Sequence, residues 1–455
     1  MEVVSCLTAS GSSKPAPPFY RPRHPERTAL YRLVEDAFED YERIHPDRYE
    51  PRCGPLRDVV RRDVFAYLAC GRPLGGFARI RCPRCRGEHL LAFSCRTRNL
   101  CPSCQAKRSA VFAEWVAEHV LAGVAHRHVV FTVPKSVRGL IERERRLHGL
   151  MAKAAWETLR DALSGAALEP DGVPGAVVSL QTFGSFGANF HPHLHVLASE
   201  GVFTKDGRFH PVIWPEETKL EERFRRRYLL FLERAGRLRP ETHERLLSWT
   251  HSGFSVKTTQ RLAAGERARL ERLARYATRV VLAVGALTLL DGGRVRVETA
   301  PDPRSGSTVL EMDRLDLVHA VCQQIPDAGM HMVRYYGAYS CRTRARLAEA
   351  RSVLARGTPT PDVPPDPVEL LPAEVSFEDA LDSTAPGSAQ ALRRQAWARM
   401  LRKVFEVDPM VCPRCSVEME VVAWITKPTV IDAILSHRRE RGLVSPFEAR
   451  APPAA

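Results

Sequence analysis

The 455-residue chain lacks any run of about 18 consecutive apolar residues, so no segment reads as a membrane-crossing helix. Its opening, "MEVVSCLTASGSSKPAPP", lacks a basic start followed by an apolar stretch. A signal peptide is therefore not expected, and the chain reads as intracellular with no membrane partner. No phosphate-binding loop of the form G-x-x-x-x-G-K-[ST] is present, which argues against a helicase-type motor, and no internal repeat is visible. Residues 357–392 hold no Lys or Arg at all, while 359–386 carry seven prolines and seven acids, the composition of a linker.

What is present points to a globular chain of several domains: 44% of residues are hydrophobic and 26% charged. The net charge of +14 is carried largely by arginine, as in "RERRLH" (143–148) and "RFRRRY" (223–228). Guanidinium groups pair with phosphate bidentately, which makes nucleic acid the leading partner class; arginines on solvated faces are the plainer alternative.

Twelve cysteines in an intracellular chain suggest metal more than disulfides. Cys82 and Cys85 form one C-x-x-C, and Cys101 and Cys104 form another, with fifteen residues between the two pairs. This spacing predicts a structural Zn2+ on four thiolates, with Cys95 and His89 as substitute ligands. The basic rim of that module, Arg96, Arg98, Lys107 and Arg108, is expected to touch nucleic acid. A third pair, Cys412 and Cys415, is a candidate second zinc site that needs two further ligands; His437 is the one candidate nearby. The remaining cysteines read as small buried residues.

Apolar spacing predicts helices over 28–45, 56–68, 136–164, 216–236 and 260–284. Strands are expected at 128–134, 176–184 and 190–198, with a hairpin over 201–212 turning at Asp206-Gly207. The fold class is thus α+β, a mostly antiparallel sheet flanked by helices. The expected organisation is a tail (1–26), N-terminal helices with the zinc module (27–110), a central domain (111–350), the linker (351–392) and a small C-terminal module (393–445).

The segment "NFHPHLHVLA" (189–198) places His191, His193 and His195 at alternate positions. Strand neighbours on one face are about 6.6 Å apart, so two imidazoles can share an ion but the outer two of three cannot easily do so. Pro192 has no amide donor and sets His191 near a strand start or edge. The pair chosen is His193 and His195. Gln181, twelve residues upstream across a Gly184/Gly187 turn, would lie beside them on an antiparallel neighbour. Two imidazoles and a carbonyl oxygen suit a catalytic Mg2+ or Mn2+ acting on phosphate. Structural histidines are the bland alternative. In "ERARLERLARYATRVV" (266–281), Tyr276 flanks an apolar stripe, with Arg272 and Arg279 beside it on the helix surface. A phenol between two guanidiniums is placed to meet a phosphate, although spacing alone leaves Tyr228, Tyr335 and Tyr336 as alternatives.

The order of "CPRC…SCRTRNLCPSCQAKR", "HRHVVFTVP", "LQTFGSFGANFHPHLHVL", "LERLARYATR", "VRYYGAY" and "VFEVDPMVCPRC" resembles rolling-circle transposases of the insertion-sequence-91 type, over about residues 30–345 and 393–443. The resemblance implies an HUH nuclease domain, named for two histidines around an apolar residue, with His193-Leu194-His195 as the metal pair and Tyr276 as the nucleophile. It implies a bacterial protein of the cytoplasm and nucleoid that acts on single-stranded DNA at element ends and target site, through a 5′-phosphotyrosine and without a nucleotide cofactor, as a homo-oligomer on DNA or alone. Where many members carry Y-x-x-x-Y, this chain has Arg272 at the first position, which resembles a single-tyrosine branch. A plasmid replication initiator or relaxase would share the chemistry; a zinc-bearing, non-enzymatic DNA-binding regulator is the reading from another class.

Overall fold

The computed structural model describes residues 24–169, 171–184, 189–283, 285–301, 305–347 and 410–442. The expected linker (351–392), most of the tail, and 393–409 of the C-terminal module lie outside the described residues. The chain divides into two compact units. The larger holds 26–68 and the chain from Cys95 through its last described residue before the linker; the smaller holds 69–94 and 410–442. Residues 27–110, grouped by sequence as one N-terminal domain, are thus shared between the two.

Helices α1 (Ala29–Arg48), α2 (Glu50–Cys53) and α3 (Asp58–Leu68) open the larger unit. Thr28 caps α1, its hydroxyl accepting from the Tyr31 amide at 3.3 Å. Next in chain order are β1 (Phe77–Arg81) and β2 (Glu88–Ala92), which belong to the smaller unit, and then α4 (Pro102–Trp115) of the larger, which runs on into a π-helical turn over Val116–Val120.

The centre of the larger unit is a five-stranded antiparallel sheet. Its members are β3 (His126–Thr132), β4 (Gly175–Phe183), β5 (Phe190–Ser199), β8 (Ser255–Leu262) and β12 (Val333–Gly337), in the order β12-β4-β5-β3-β8. On one face, Val129, Phe131, Val178, Leu180, Leu194, Val196 and Val256 form a core with residues of α5 (Lys135–Arg143), α6 (Leu147–Ala166) and α7 (Glu217–Arg234). On the other, Val177, Leu197 and Leu262 pack with Ala113, Val116 and the stripe Leu270, Leu273, Ala274 of α9 (Arg267–Ala277). Both faces of β4 and β5 are therefore covered, which is why their sequences are so apolar. The expected hairpin is β6 (Gly201–Phe203) and β7 (Phe209–Pro211); Gly207 in its turn has φ 85, a conformation that favours glycine. The unit also contains α8 (Pro240–Ser248), a small sheet of β9 (Leu287–Leu289), β10 (Arg294–Glu298) and β11 (Val309–Asp313), and α10 (Arg314–Cys322).

Two expected helices are revised. The 260–284 pattern is the end of strand β8 followed by the shorter α9; "SVKTTQRL" is an edge strand rich in polar and β-branched residues, without the apolar alternation of a half-buried strand. The 136–164 pattern is two helices, α5 and α6, separated by Glu144–Arg146. Arg145 is buried there, and its guanidinium donates to the Gln323 carbonyl at 2.9 Å.

In the smaller unit β1 is flanked by β2 and by β13 (Glu420–Ile425), all antiparallel, and α11 (Pro428–Glu440) follows. Phe77, Ile431 and Leu435 form one small core; Ala78, Ile80, Leu91 and Met419 form another with Cys82 and Cys412.

Candidate active site

Register pairs Gln181 of β4 and Thr132 of β3 with His193 of β5, so all three side chains share one face of the sheet. Ser179 and Val130 pair likewise with His195. The β4–β5 register shifts between Gln181 and Phe183, opposite the stretch containing Pro192. There the proline has no amide to give the ladder. His191 lies before this irregularity, and His193 and His195 after it.

The imidazoles of His193 and His195 approach to 3.2 Å between their Nε2 atoms. His193 Nδ1 lies 2.8 Å from the carbonyl oxygen of His191, which places its proton on Nδ1 and leaves Nε2 with a lone pair. His195 Nδ1 lies 2.9 Å from His128 Nε2, the two rings being coplanar within 3°, and His128 Nδ1 contacts the Thr259 hydroxyl. Thr259 stands at a register shift of β8 beside His128, the kind of irregularity that re-aims a side chain. Sequence alone does not single out His128 and Thr259. The signal for His128 was its place in "HRHVV", and it becomes informative only once β3 is known to lie beside β5.

Burial pushes the His195 imidazole down to about 2, helped by the neighbouring His193 and His128. Burial likewise lowers His193, and takes His128 and His191 to about 4. All four rings are held neutral, the form that ligates metal. The Gln181 side chain is buried. Its Nε2 donates to the Tyr276 carbonyl at 2.9 Å, while its Oε1 has no hydrogen-bond partner. A buried amide oxygen without a partner is costly unless something positive meets it.

Tyr276, near the end of α9, is 50% exposed, and its ring stands edge-on to His195 with centroids 5.4 Å apart. Helix α9 stops at Ala277, so Arg279 is not on it as expected. Its guanidinium instead returns over the Tyr276 ring at 5.3 Å and the Phe183 ring at 5.0 Å. Arg272 is exposed on α9. Of the other tyrosines, Tyr228 is buried in the core on the opposite face and Tyr336 stacks on Trp156, while Tyr335 lies against Trp115 and Arg344.

The cysteines are distributed differently from the expectation. Cys82 and Cys85 gather with Cys412 and Cys415 inside the smaller unit. In the larger unit Cys95, Cys101 and Cys104 come together, with 3.5 Å between the sulfurs of Cys95 and Cys104. The expected set of Cys82, Cys85, Cys101 and Cys104 is thus divided between the units, because β13 brings the C-terminal pair to β1. Cys95 is an integral member of its cluster, whereas His89 and His437 belong to neither. The basic rim also divides. Arg96 and Arg108 are exposed, and Lys107 is partly buried beside them on α4. Arg98, however, donates to the carbonyls of Asp327 and Met330. It is therefore spent on holding the fold.

A family model described as "Putative transposase" matches residues 175–346, and one described as "Transposase zinc-binding domain" matches residues 41–133. Together they cover more than half of the chain. The curated "Putative transposase y4qJ" of Sinorhizobium fredii is 28% identical over 363 residues, 74% of this chain and 87% of its own length. The "Transposase for insertion sequence element IS801" of Pseudomonas savastanoi pv. phaseolicola is 25% identical over 399 residues, 83% of this chain and 87% of its own length. No solved structure matches. Among the described residues no helix is long and apolar enough to cross a membrane. The zinc-binding match and the cysteine clusters agree on structural zinc, and the histidine face lies inside the region matched as transposase. The chain belongs to the insertion-sequence-91 family of DNA transposases.

Proposed function

We propose that the chain nicks and rejoins single-stranded DNA at the ends of its insertion sequence through a covalent bond to Tyr276. One juxtaposition carries this reading: a half-exposed phenol beside two neutral imidazoles, with the unpartnered Gln181 oxygen on the same sheet face.

His193, His195 and Gln181 fit a divalent ion. The two Nε2 atoms are 3.2 Å apart, within reach of a single ion making bonds of about 2.1 Å. Neutral nitrogen and carbonyl donors that leave coordination positions open suit Mg2+ or Mn2+ engaged with phosphate. Bound there, the ion would polarise the scissile phosphodiester and offset its developing charge. The His191 carbonyl and the His128–Thr259 pair fix which ring nitrogens carry protons.

Tyr276 performs the exchange. Its phenolic oxygen attacks phosphorus, the bond to the 3′ oxygen breaks, and the phenol proton passes to solvent while the departing oxygen takes one up. The products are a 5′-phosphotyrosine and a free 3′-OH. Since the link to Tyr276 is again a phosphodiester, attack by a 3′-OH reverses the step, joins strands and restores the phenol without a nucleotide cofactor. Arg279 and Arg272 flank the phenol and would bind the phosphates on either side. The exposed Arg96 and Arg108, with Lys107, extend the basic surface that a strand would follow.

The full chain, Mn2+ and a single-stranded oligonucleotide carrying the element end form the test. A covalent adduct that survives denaturing electrophoresis is expected, and Tyr276→Phe should abolish it. No adduct with the unmutated chain, or an undiminished one with Tyr276→Phe, sinks the proposal.

A further inference from the structure

We infer that Cys82, Cys85, Cys412 and Cys415 hold one Zn2+ between them, so that the C-terminal C-P-R-C completes a site begun by the N-terminal one. The sulfurs of Cys82 and Cys415 are 3.3 Å apart, those of Cys85 and Cys412 3.6 Å, and those of Cys412 and Cys415 3.4 Å. Four thiolates around zinc at bonds of about 2.3 Å stand about 3.8 Å from one another, so a movement of a few tenths of an ångström admits the ion. All four cysteines are free thiols.

The two halves are built alike. The amide of Cys82 donates to the Gly87 carbonyl and that of Cys412 to the Val417 carbonyl, each at 2.9 Å and each five residues along. The residue after each pair, Arg86 at φ 59 and Ser416 at φ 53, adopts the left-handed backbone. Each also donates its amide to the carbonyl of the first cysteine, at 3.0 and 2.9 Å. Neither residue is glycine, so both turns hold an unfavourable conformation at equivalent places. Two matching turns of this kind present two thiolate pairs to a common centre.

Around the sulfurs lie Ala78, Ile80, Leu91 and Met419, and the cluster contains no His, Asp or Glu. Four sulfur ligands without an open position make a structural site. β13 reaches the cluster as the neighbour of β1, pairing from Phe77↔Ile425 to Arg81↔Glu420. The ion would therefore tie together chain segments 333 residues apart in sequence and make the zinc module depend on the C-terminal segment. This inference does not depend on the nuclease reading.

Zinc counted on the full-length chain by native mass spectrometry tests it. Cys82→Ser/Cys85→Ser and Cys412→Ser/Cys415→Ser should each lose one ion relative to the unmutated chain, and the four-fold variant should lose that same one. Losses that add to two, or no loss with Cys412→Ser/Cys415→Ser, overturn the inference. Serine variants can unfold, so the unmutated chain supplies a second readout: thiol alkylation as a chelator removes zinc stepwise. All four cysteines should gain label together. Labelling of Cys412 and Cys415 while Cys82 and Cys85 stay protected also overturns it.

Discussion

The histidine face of the larger unit and the four-cysteine cluster of the smaller one both gather metal-suited atoms, but by opposite routes. The first is local: His193 and His195 sit two residues apart on β5, and Gln181 comes from the adjoining strand. It stands beside a half-exposed tyrosine, so a substrate can reach it. The second joins segments far apart in sequence and presents sulfur on all sides. A site for chemistry keeps positions open, and a site for structure fills them. Another grouping, His45, Cys53 and His319, shows what similar atoms do as ordinary core. His319 contacts Tyr41 and Arg52 through its two nitrogens, at 3.2 and 3.0 Å, and stacks on Tyr49 at 4.2 Å. With a guanidinium donating to Nε2, that ring is occupied by protein.

The largest effects should separate the two sites cleanly. If His193 and His195 hold the proposed ion, which would contribute several kcal/mol of charge stabilisation, His193→Ala/His195→Ala should lower adduct formation about 1,000-fold or more, with the melting temperature nearly unchanged. Cys412→Ser/Cys415→Ser should instead strip hydrogen-exchange protection from β1 and β13 while the five-stranded sheet keeps its own. Collapse of the large sheet in the first variant, or intact β13 protection in the second, would erase the distinction.

His128 probes how finely the open site is set. It touches His195 Nδ1 and so orients the ring and its proton. His128→Ala should weaken Mn2+ binding and slow adduct formation by about 10- to 100-fold, whereas His128→Gln, which can still hydrogen-bond, should recover part of both. Isothermal titration with Mn2+ alone separates lost affinity from a lost fold.

How much of this was legible in sequence follows from the range of each interaction. The β4–β5 pair was readable because alternation has period two and the connection is short; Gln181 does oppose His193. His128 was not, since its partner is 67 residues away and only the sheet order brings them together. The edge strand β8 buries little and so carries little pattern that sequence can show. Cysteine spacing identified each pair but could not say which pairs meet, because each C-x-x-C turn is complete in itself and its partner is set by strand pairing. Arg98 looked like its neighbours in composition, and the carbonyls of Asp327 and Met330, which sequence does not advertise, gave it another role.

Acid acts on a buried imidazole of the core as it does on those of the histidine face. Burial, with the Arg145 charge beside it, pushes His148 down to about 3, against about 6.5 in an unfolded chain. Below pH 6.5 the unfolded state takes up a proton that the folded state refuses. Stability is therefore complete above 6.5 and falls with pH by about 1.4 kcal/mol per unit for this one residue, down to about pH 3. His148→Gln should remove that share of the slope between pH 6 and 4 in urea unfolding. An unchanged slope would mean that His148 is not held neutral.

The smallest effect belongs to Arg279, whose guanidinium lies over Tyr276 and Phe183 with no salt bridge to an acid among the described residues. A cation in that position is available to a phosphate of the bound strand. Each such contact on single-stranded DNA contributes about 0.7 to the slope of log affinity against log salt. Arg279→Gln should lower the slope by about that amount and weaken binding a few-fold at low salt, with less difference as salt rises. The exposed arginines of the cysteine turns, Arg84, Arg86 and Arg414, belong to the smaller unit and are given no phosphate contact by the proposed function, so Cys412→Ser/Cys415→Ser should leave the salt slope where it was. A slope that moves with the cysteines and not with Arg279 would shift the DNA path off the histidine face. Fluorescence anisotropy over a salt series, using a labelled single strand and no divalent metal, reads the two apart.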